Sequence, residues 1–109
     1  MAIDIEKYTY RVMWSDSDQE FVGLCTEFPS LSWLSTTSAK ALKGIQSVVK
    51  ECVTDMSKNN EDIPAPISSR NFSGKFIVRV PPEVHRHLAI EAAESGVSLN
   101  RIANLKLAH

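Results

Sequence analysis

The C-terminal third of the chain is too short to build a core of its own. Residues 75–109 contain one strand-like run, KFIVRV, followed by two short helical patterns. Alternation in this run places Phe76, Val78 and Val80 on one face. Segments below about 40 residues rarely bury enough apolar surface to fold alone, and a single strand has no ladder partner. We therefore expect this strand to pair with the same strand of a second chain, so that dimerisation completes the core.

Proline, glycine and serine mark the boundaries of the two helices that follow this run. Pro82 suits the first turn of a helix, where a missing N–H costs nothing. Gly96 fits the left-handed position that ends a helix. Ser98 is a candidate N-cap for the last helix. The order strand, helix, helix is therefore predicted for residues 75–109.

The N-terminal half changes its hydrophobic period once. Runs at residues 8–14, 20–28 and 31–36 follow the period of strands and are joined by short polar or proline-containing turns, which predicts a three-stranded antiparallel meander. Gly23 indicates a bulge or a close neighbouring backbone. Residues 39–58 then take the helical period, with the apolar stripe Leu42, Ile45, Val49, Cys52 and Met56. The fold class is therefore α+β.

The near-zero net charge of the chain hides two opposite halves. Residues 1–66 carry six basic and ten acidic side chains, which is a net charge of −4, whereas residues 67–109 carry six basic and three acidic ones, which is +3. A segment rich in proline, serine and asparagine lies between them. We predict a domain at 1–62, a linker at 63–74 and a second domain at 75–109. The asymmetry suggests a different partner for each domain, with a polyanion for the basic one.

Two segments of the sequence resemble known protein modules. GKFIVRVPPEVHRHLAIEAAESGVSLNRIA resembles a ribbon-helix-helix DNA-binding domain, and EFVGLCTEFPSLSWLSTTSAKALKGI resembles the N-terminal domain of HicB antitoxins. The resemblance implies a partial RNase H-like fold for the N-terminal domain. It also implies an antitoxin that blocks a HicA-like mRNA-cleaving toxin and represses its own operon as a homodimer bound to operator DNA. A dimer of dimers is a further expectation.

The ribbon-helix-helix resemblance assigns candidate DNA contacts. A two-stranded ribbon fits the major groove of DNA, and the residues on its outer face would contact bases: Lys75, Ile77 and Arg79. Many relatives place an amide where this chain has Ile77, which could contact only a thymine methyl group. N–H groups at a helix start suit phosphate, and in the family this position clamps the DNA backbone: Ser98, Leu99 and Asn100.

The acidic domain is expected to bind the toxin, which is small and basic in this family. Complementary charge speeds such an encounter. The candidate contacts are carboxylates in or near the predicted strands, although such groups are often simply solvated: Asp16, Asp18, Glu20 and Glu27.

Two other functions are compatible with the sequence. One is a standalone ribbon-helix-helix transcriptional regulator whose N-terminal domain senses a small ligand. The other is a nuclease using Asp16, Asp18 and Glu20, but these carboxylates crowd into one turn and residues 1–66 contain no histidine. We expect no enzymatic activity, no metal and no cofactor. The start MAIDIEKY lacks the basic and apolar stretches of a signal peptide, so a cytoplasmic location without membrane association is expected.

Overall fold

The computed structural model describes residues 3–108 and divides the chain into two compact units. The N-terminal unit ends at Phe72 and the C-terminal unit begins at Ser73. A three-stranded antiparallel sheet is followed by helices, which confirms the α+β class. The RNase H-like and ribbon-helix-helix assignments stay predictions. No helix within residues 3–108 has the length and apolar character needed to cross a membrane.

The sheet of the N-terminal unit is a meander in the order β1, β2, β3. Strand β1 spans Tyr10–Ser15, β2 spans Glu20–Cys25 and β3 spans Ser32–Ser35. The β1–β2 register runs without a bulge from Tyr10 opposite Cys25 to Ser15 opposite Glu20. Strand β2 ends earlier than its apolar run predicted, because the Phe28 N–H turns back to the Cys25 carbonyl at 3.1 Å.

Helix α1, Ser38–Lys58, packs against one face of this sheet. Its N-cap is Thr37, whose hydroxyl accepts the Lys40 N–H at 3.2 Å. A side chain at Gly23 would bring Cβ to 2.5 Å from the Ala41 carbonyl oxygen. Gly23 therefore marks the close backbone approach that the sequence allowed for, and not a bulge.

The core lies between the sheet and α1 and is centred on the middle of the helix. The buried cluster is Tyr8, Cys25, Phe28, Ile45 and Val49. Ala41 is also fully buried, whereas Leu42, the first residue of the predicted apolar stripe, remains 38% exposed. Ala41 directly precedes Leu42, and its carbonyl oxygen lies close to Gly23 of the sheet. The small Ala41 is therefore the residue that is buried at this contact between helix and sheet.

The N-terminal unit extends ten residues beyond the domain boundary predicted at residue 62. Residues 63–70 include a short 3₁₀ turn at Ile67–Ser69 and are attached to the unit by side-chain hydrogen bonds. The Tyr8 hydroxyl donates to the Pro64 carbonyl at 2.7 Å, and the Ser68 hydroxyl donates to the Lys7 carbonyl at 2.7 Å. This part of the predicted linker is therefore an ordered component of the unit.

The C-terminal unit consists of two helices preceded by an irregular segment. Helix α2 spans Pro82–Ser95 and ends at Gly96, whose φ of 68° is the predicted left-handed cap. Helix α3 spans Leu99–Leu107. The structure assigns no strand to residues 75–80, which departs from the predicted strand. A strand requires a hydrogen-bonded neighbour, and the predicted neighbour belongs to a second chain, so the ribbon stays a prediction.

Candidate functional sites

The segment 75–80 presents all of its side chains to solvent. Ile77 is 92% exposed, and Lys75 and Arg79 are exposed as well. Within residues 3–108, neither of these two bases forms an ion pair. The Lys75 N–H donates to the Ser73 hydroxyl at 3.1 Å, next to Gly74 with a φ of 81°. The turn at 73–74 thus introduces a segment whose two positive charges are free to meet an anion.

The start of α3 offers unpaired backbone donors. The Ser98 hydroxyl accepts the Arg101 N–H at 3.1 Å, which confirms Ser98 as the N-cap. Within the described chain, the N–H groups of Leu99 and Asn100 have no hydrogen-bond acceptor. Ser98 and Asn100 are exposed, and Leu99 is half-buried. Such a helix start can bind phosphate through its N–H groups and its dipole.

The β1–β2 turn gathers three of the four predicted acidic residues. The Ser15 hydroxyl donates to the Asp18 carboxylate at 2.7 Å, and the Gln19 side-chain amide donates to the Asp16 carbonyl at 2.7 Å. Glu20 begins β2 beside them. These bonds hold an exposed acidic turn at one end of the sheet. Among residues 3–108, no three His, Cys, Asp or Glu side chains are grouped as a metal site would require.

Glu27 lies beyond the opposite end of β2 and is engaged within the chain. Its carboxylate accepts the Thr9 N–H at 2.9 Å, the Thr9 hydroxyl at 3.2 Å and the Ile67 N–H at 2.9 Å. Burial alone would raise the pKa of Glu27, but the N–H groups of Ile67 and Thr9 outweigh it and hold the pKa below its usual value. We call Glu27, Thr9 and Ile67 the Glu27 clamp. The structure therefore separates Glu27 from the other three acidic candidates.

Sequence reasoning did not find the Glu27 clamp. Its bonds join positions separated by 18 and 40 residues, and no local pattern specifies such contacts. The one available signal was the short apolar pair Ile63 and Ile67 inside the proline-containing segment, and both side chains are half-buried.

Comparison with known families gives a match to part of the chain. A family model with the description "HicB family" matches residues 59–107. This range begins directly after α1 and includes both helices of the C-terminal unit. The match does not include residues 20–45, which carry the other half of the resemblance. No curated protein and no solved structure matches the chain significantly.

Proposed function

We propose that this chain is a member of the HicB family, whose model matches residues 59–107, and that it is the antitoxin of a HicA/HicB-type toxin–antitoxin system. Family membership indicates a role related to toxin and antitoxin. The finer proposal is that the N-terminal unit blocks a HicA-like mRNA-cleaving toxin and that the C-terminal unit represses the operon by binding operator DNA. The observation that carries the proposal is the family match over residues 59–107.

Support for DNA binding comes from the charge and exposure of the C-terminal unit. Lys75 and Arg79 are exposed, and the start of α3 leaves two N–H groups without an acceptor in the described chain. Arginine can donate two hydrogen bonds to the O6 and N7 atoms of guanine, while N–H groups at a helix start suit phosphate. Two such units in a dimer would double the +3 charge of residues 67–109 beside the duplex.

Support for a homodimer comes from apolar side chains that the single unit leaves uncovered. Phe76 is 74% exposed, and Val78, Val80 and Val84 are exposed too. The predicted ribbon would pair residues 75–80 of two chains and bury the face that carries Phe76, Val78 and Val80. Both the missing strand partner and the missing apolar cover would then come from the same contact.

The proposal is tested by separating operator binding from toxin protection. We expect Arg79→Ala to weaken operator binding by about tenfold or more, since each lost bidentate base contact costs ~1–3 kcal/mol and the dimer loses two. The variant should still protect cells from the toxin encoded beside the gene. Arg86→Ala is the matched control, because Arg86 is an exposed arginine of α2 outside the ribbon.

Two results would contradict the proposal. If Arg79→Ala keeps the operator affinity and salt dependence of the original protein, the ribbon does not contact the bases. If the unmodified protein neither binds the neighbouring toxin nor protects cells from it, the antitoxin role is wrong.

A further inference from the structure

The sheet of the N-terminal unit has one covered face and one uncovered face. Gly23 lies against Ile45, and Trp33 lies over Gly44, so the row Val12, Gly23 and Trp33 points toward α1. Directly paired residues share a face and neighbours along a strand alternate. The adjacent row therefore points away from α1. Within the described N-terminal unit, α1 is the one helix that packs against these strands.

The uncovered face has an apolar centre. Met13 pairs with Val22, and Val22 pairs with Leu34, which places one apolar row across all three strands. Leu24 adds a fourth apolar side chain on the same face of β2. Met13 is 47% exposed and Leu34 is 42% exposed. We call Met13, Val22, Leu24 and Leu34 the open face.

Polar and charged groups surround this centre. Arg11 and Ser32 pair with Leu24 at one end, and Glu20 begins β2 at the other end, next to the acidic turn with Asp16 and Asp18. An apolar centre with a polar rim is the usual anatomy of a protein–protein interface. On strands about 4.8 Å apart, four side chains cover on the order of 200 Å². A stable partner buries about 800 Å² per side, so it must also cover the rim.

The charge of the rim favours a basic partner over a second copy of this unit. Three carboxylates lie at the turn end, and among the described residues of the three strands Arg11 is the one base on this face. The −4 charge of residues 1–66 would repel an identical unit stacked on this face. A basic protein would instead be attracted to the acidic turn and could cover the open face.

We propose that the open face, with the acidic turn as its rim, is the docking surface for the basic toxin. The inference rests on the proposed antitoxin function and specifies where the toxin binds. It assigns the binding energy to the apolar row Met13–Val22–Leu34, and it assigns the steering to Asp16, Asp18 and Glu20. It excludes Glu27 from the contact, because that carboxylate serves the clamp.

The test places a positive charge in the open face and the same charge elsewhere on the unit. Leu34→Arg and Leu42→Arg alter two leucines of similar exposure, 42% and 38%, of which only Leu34 lies on the open face. The probe is the purified HicA-like toxin encoded beside the gene, in a catalytically inactive form. We expect Leu34→Arg to weaken toxin binding at least about 30-fold, because it buries an unpaired charge against a basic partner. We expect Leu42→Arg to change it less than about threefold.

Each outcome distinguishes this inference from the proposed function. If the unmodified protein does not bind the toxin, the proposed function is wrong. If it binds and Leu34→Arg binds equally well, the docking surface is wrong while the antitoxin role stands. If Leu34→Arg instead dissociates a complex of N-terminal units seen by sedimentation without toxin, the occupant is a second copy and the proposal is overturned.

A second variant guards against a loss of folding. Tryptophan fluorescence and operator binding report separately on the two units, because Trp14 and Trp33 both lie in the N-terminal one. Should Leu34→Arg lose its native fluorescence, Met13→Arg on the other edge strand makes the same test. Normal toxin binding by a folded Met13→Arg variant would overturn the proposal.

Discussion

The two units differ in how completely each one buries its own apolar residues. The N-terminal unit encloses an aromatic and aliphatic cluster in which Ile45 and Val49 are wholly buried. In the C-terminal unit only Ala92 and Ile102 are buried among the described residues, while Phe76 is 74% exposed. The first unit contains the partners for its own core, and the second lacks them. Folding of the C-terminal unit is therefore expected to depend on chain concentration, and folding of the N-terminal unit is not.

The largest effect should come from a residue that the single chain leaves exposed. We expect Phe76→Ala to abolish dimerisation, because it removes about 3 kcal/mol or more of burial per chain and twice that per dimer. Sedimentation equilibrium and helical circular dichroism at several chain concentrations measure the change. Ile77→Ala is the control, since Ile77 occupies the opposite face of the predicted strand. An unchanged dimer in Phe76→Ala would show that this face does not complete the core.

The second-largest effect is expected in the N-terminal unit, which contains all the partners of its own core. Ile45→Ala should lower the free energy of unfolding of the N-terminal unit by about 2–5 kcal/mol, because it leaves a cavity in a fully buried site. Urea unfolding followed by tryptophan fluorescence reports this unit alone. Ile90→Ala, the same change on the exposed side of α2, should leave that transition in place. A shift of the midpoint with protein concentration would contradict the independence of the unit.

The smallest effect should be local to the Glu27 clamp. Glu27→Gln removes the charge that accepts the Thr9 and Ile67 N–H groups, so we expect residues 63–70 to open more easily by about 1 kcal/mol. Hydrogen exchange of the Ile67 amide measures this opening. Glu20→Gln makes the same change at the acidic turn and should leave that amide protected. Equal protection in Glu27→Gln would show that the clamp is not what holds the segment.

The lowered pKa of Glu27 predicts how the protection of the Ile67 amide against hydrogen exchange depends on pH. The folded pKa of Glu27 lies below 4.5, the usual value for a glutamate carboxyl, which is also its value in the unfolded chain. The stabilisation is therefore fully present above that unfolded value and is lost as the pH falls through the lower, folded one. Protection of Ile67 should decline in this acidic range. A decline that begins near neutral pH would assign the effect to another group.

The elements of the N-terminal unit were largely predictable because their apolar periods are local. The strands and α1 were located within a few residues, and Gly23 was predicted to mark either a bulge or a close neighbouring backbone, of which the structure has the second. Leu42 is more exposed than its place in the apolar stripe predicted, because the helix approaches the sheet at Gly23 through Ala41, which is buried instead. The open face could not be identified, since β2 carries apolar side chains on both faces and its alternation does not reveal which face α1 covers.

The charged residues of the candidate sites were predictable from the sequence, whereas the contacts that these residues make with distant residues or with a second chain were not. Lys75 and Arg79 are exposed as expected, and Ser98 caps α3. The ribbon itself depends on a second chain, which no single-chain pattern can supply. Glu27 was grouped with the acidic turn by charge alone, whereas its partners lie 18 and 40 residues away and are fixed by the fold.

The Glu27 clamp also affects how the chain responds to proteases. One carboxylate holds the backbone N–H groups of both Thr9 and Ile67, so its release removes one of the attachments of the segment 63–70 and leaves the hydrogen bonds of Tyr8 and Ser68 to hold it. Local opening of this kind costs less free energy than unfolding the core and exposes the backbone to cleavage. A cut there would separate the N-terminal unit from the C-terminal unit while leaving the core around Ile45 intact. Under the proposed function, such a cut would uncouple toxin neutralisation from operator repression, since each depends on a different unit.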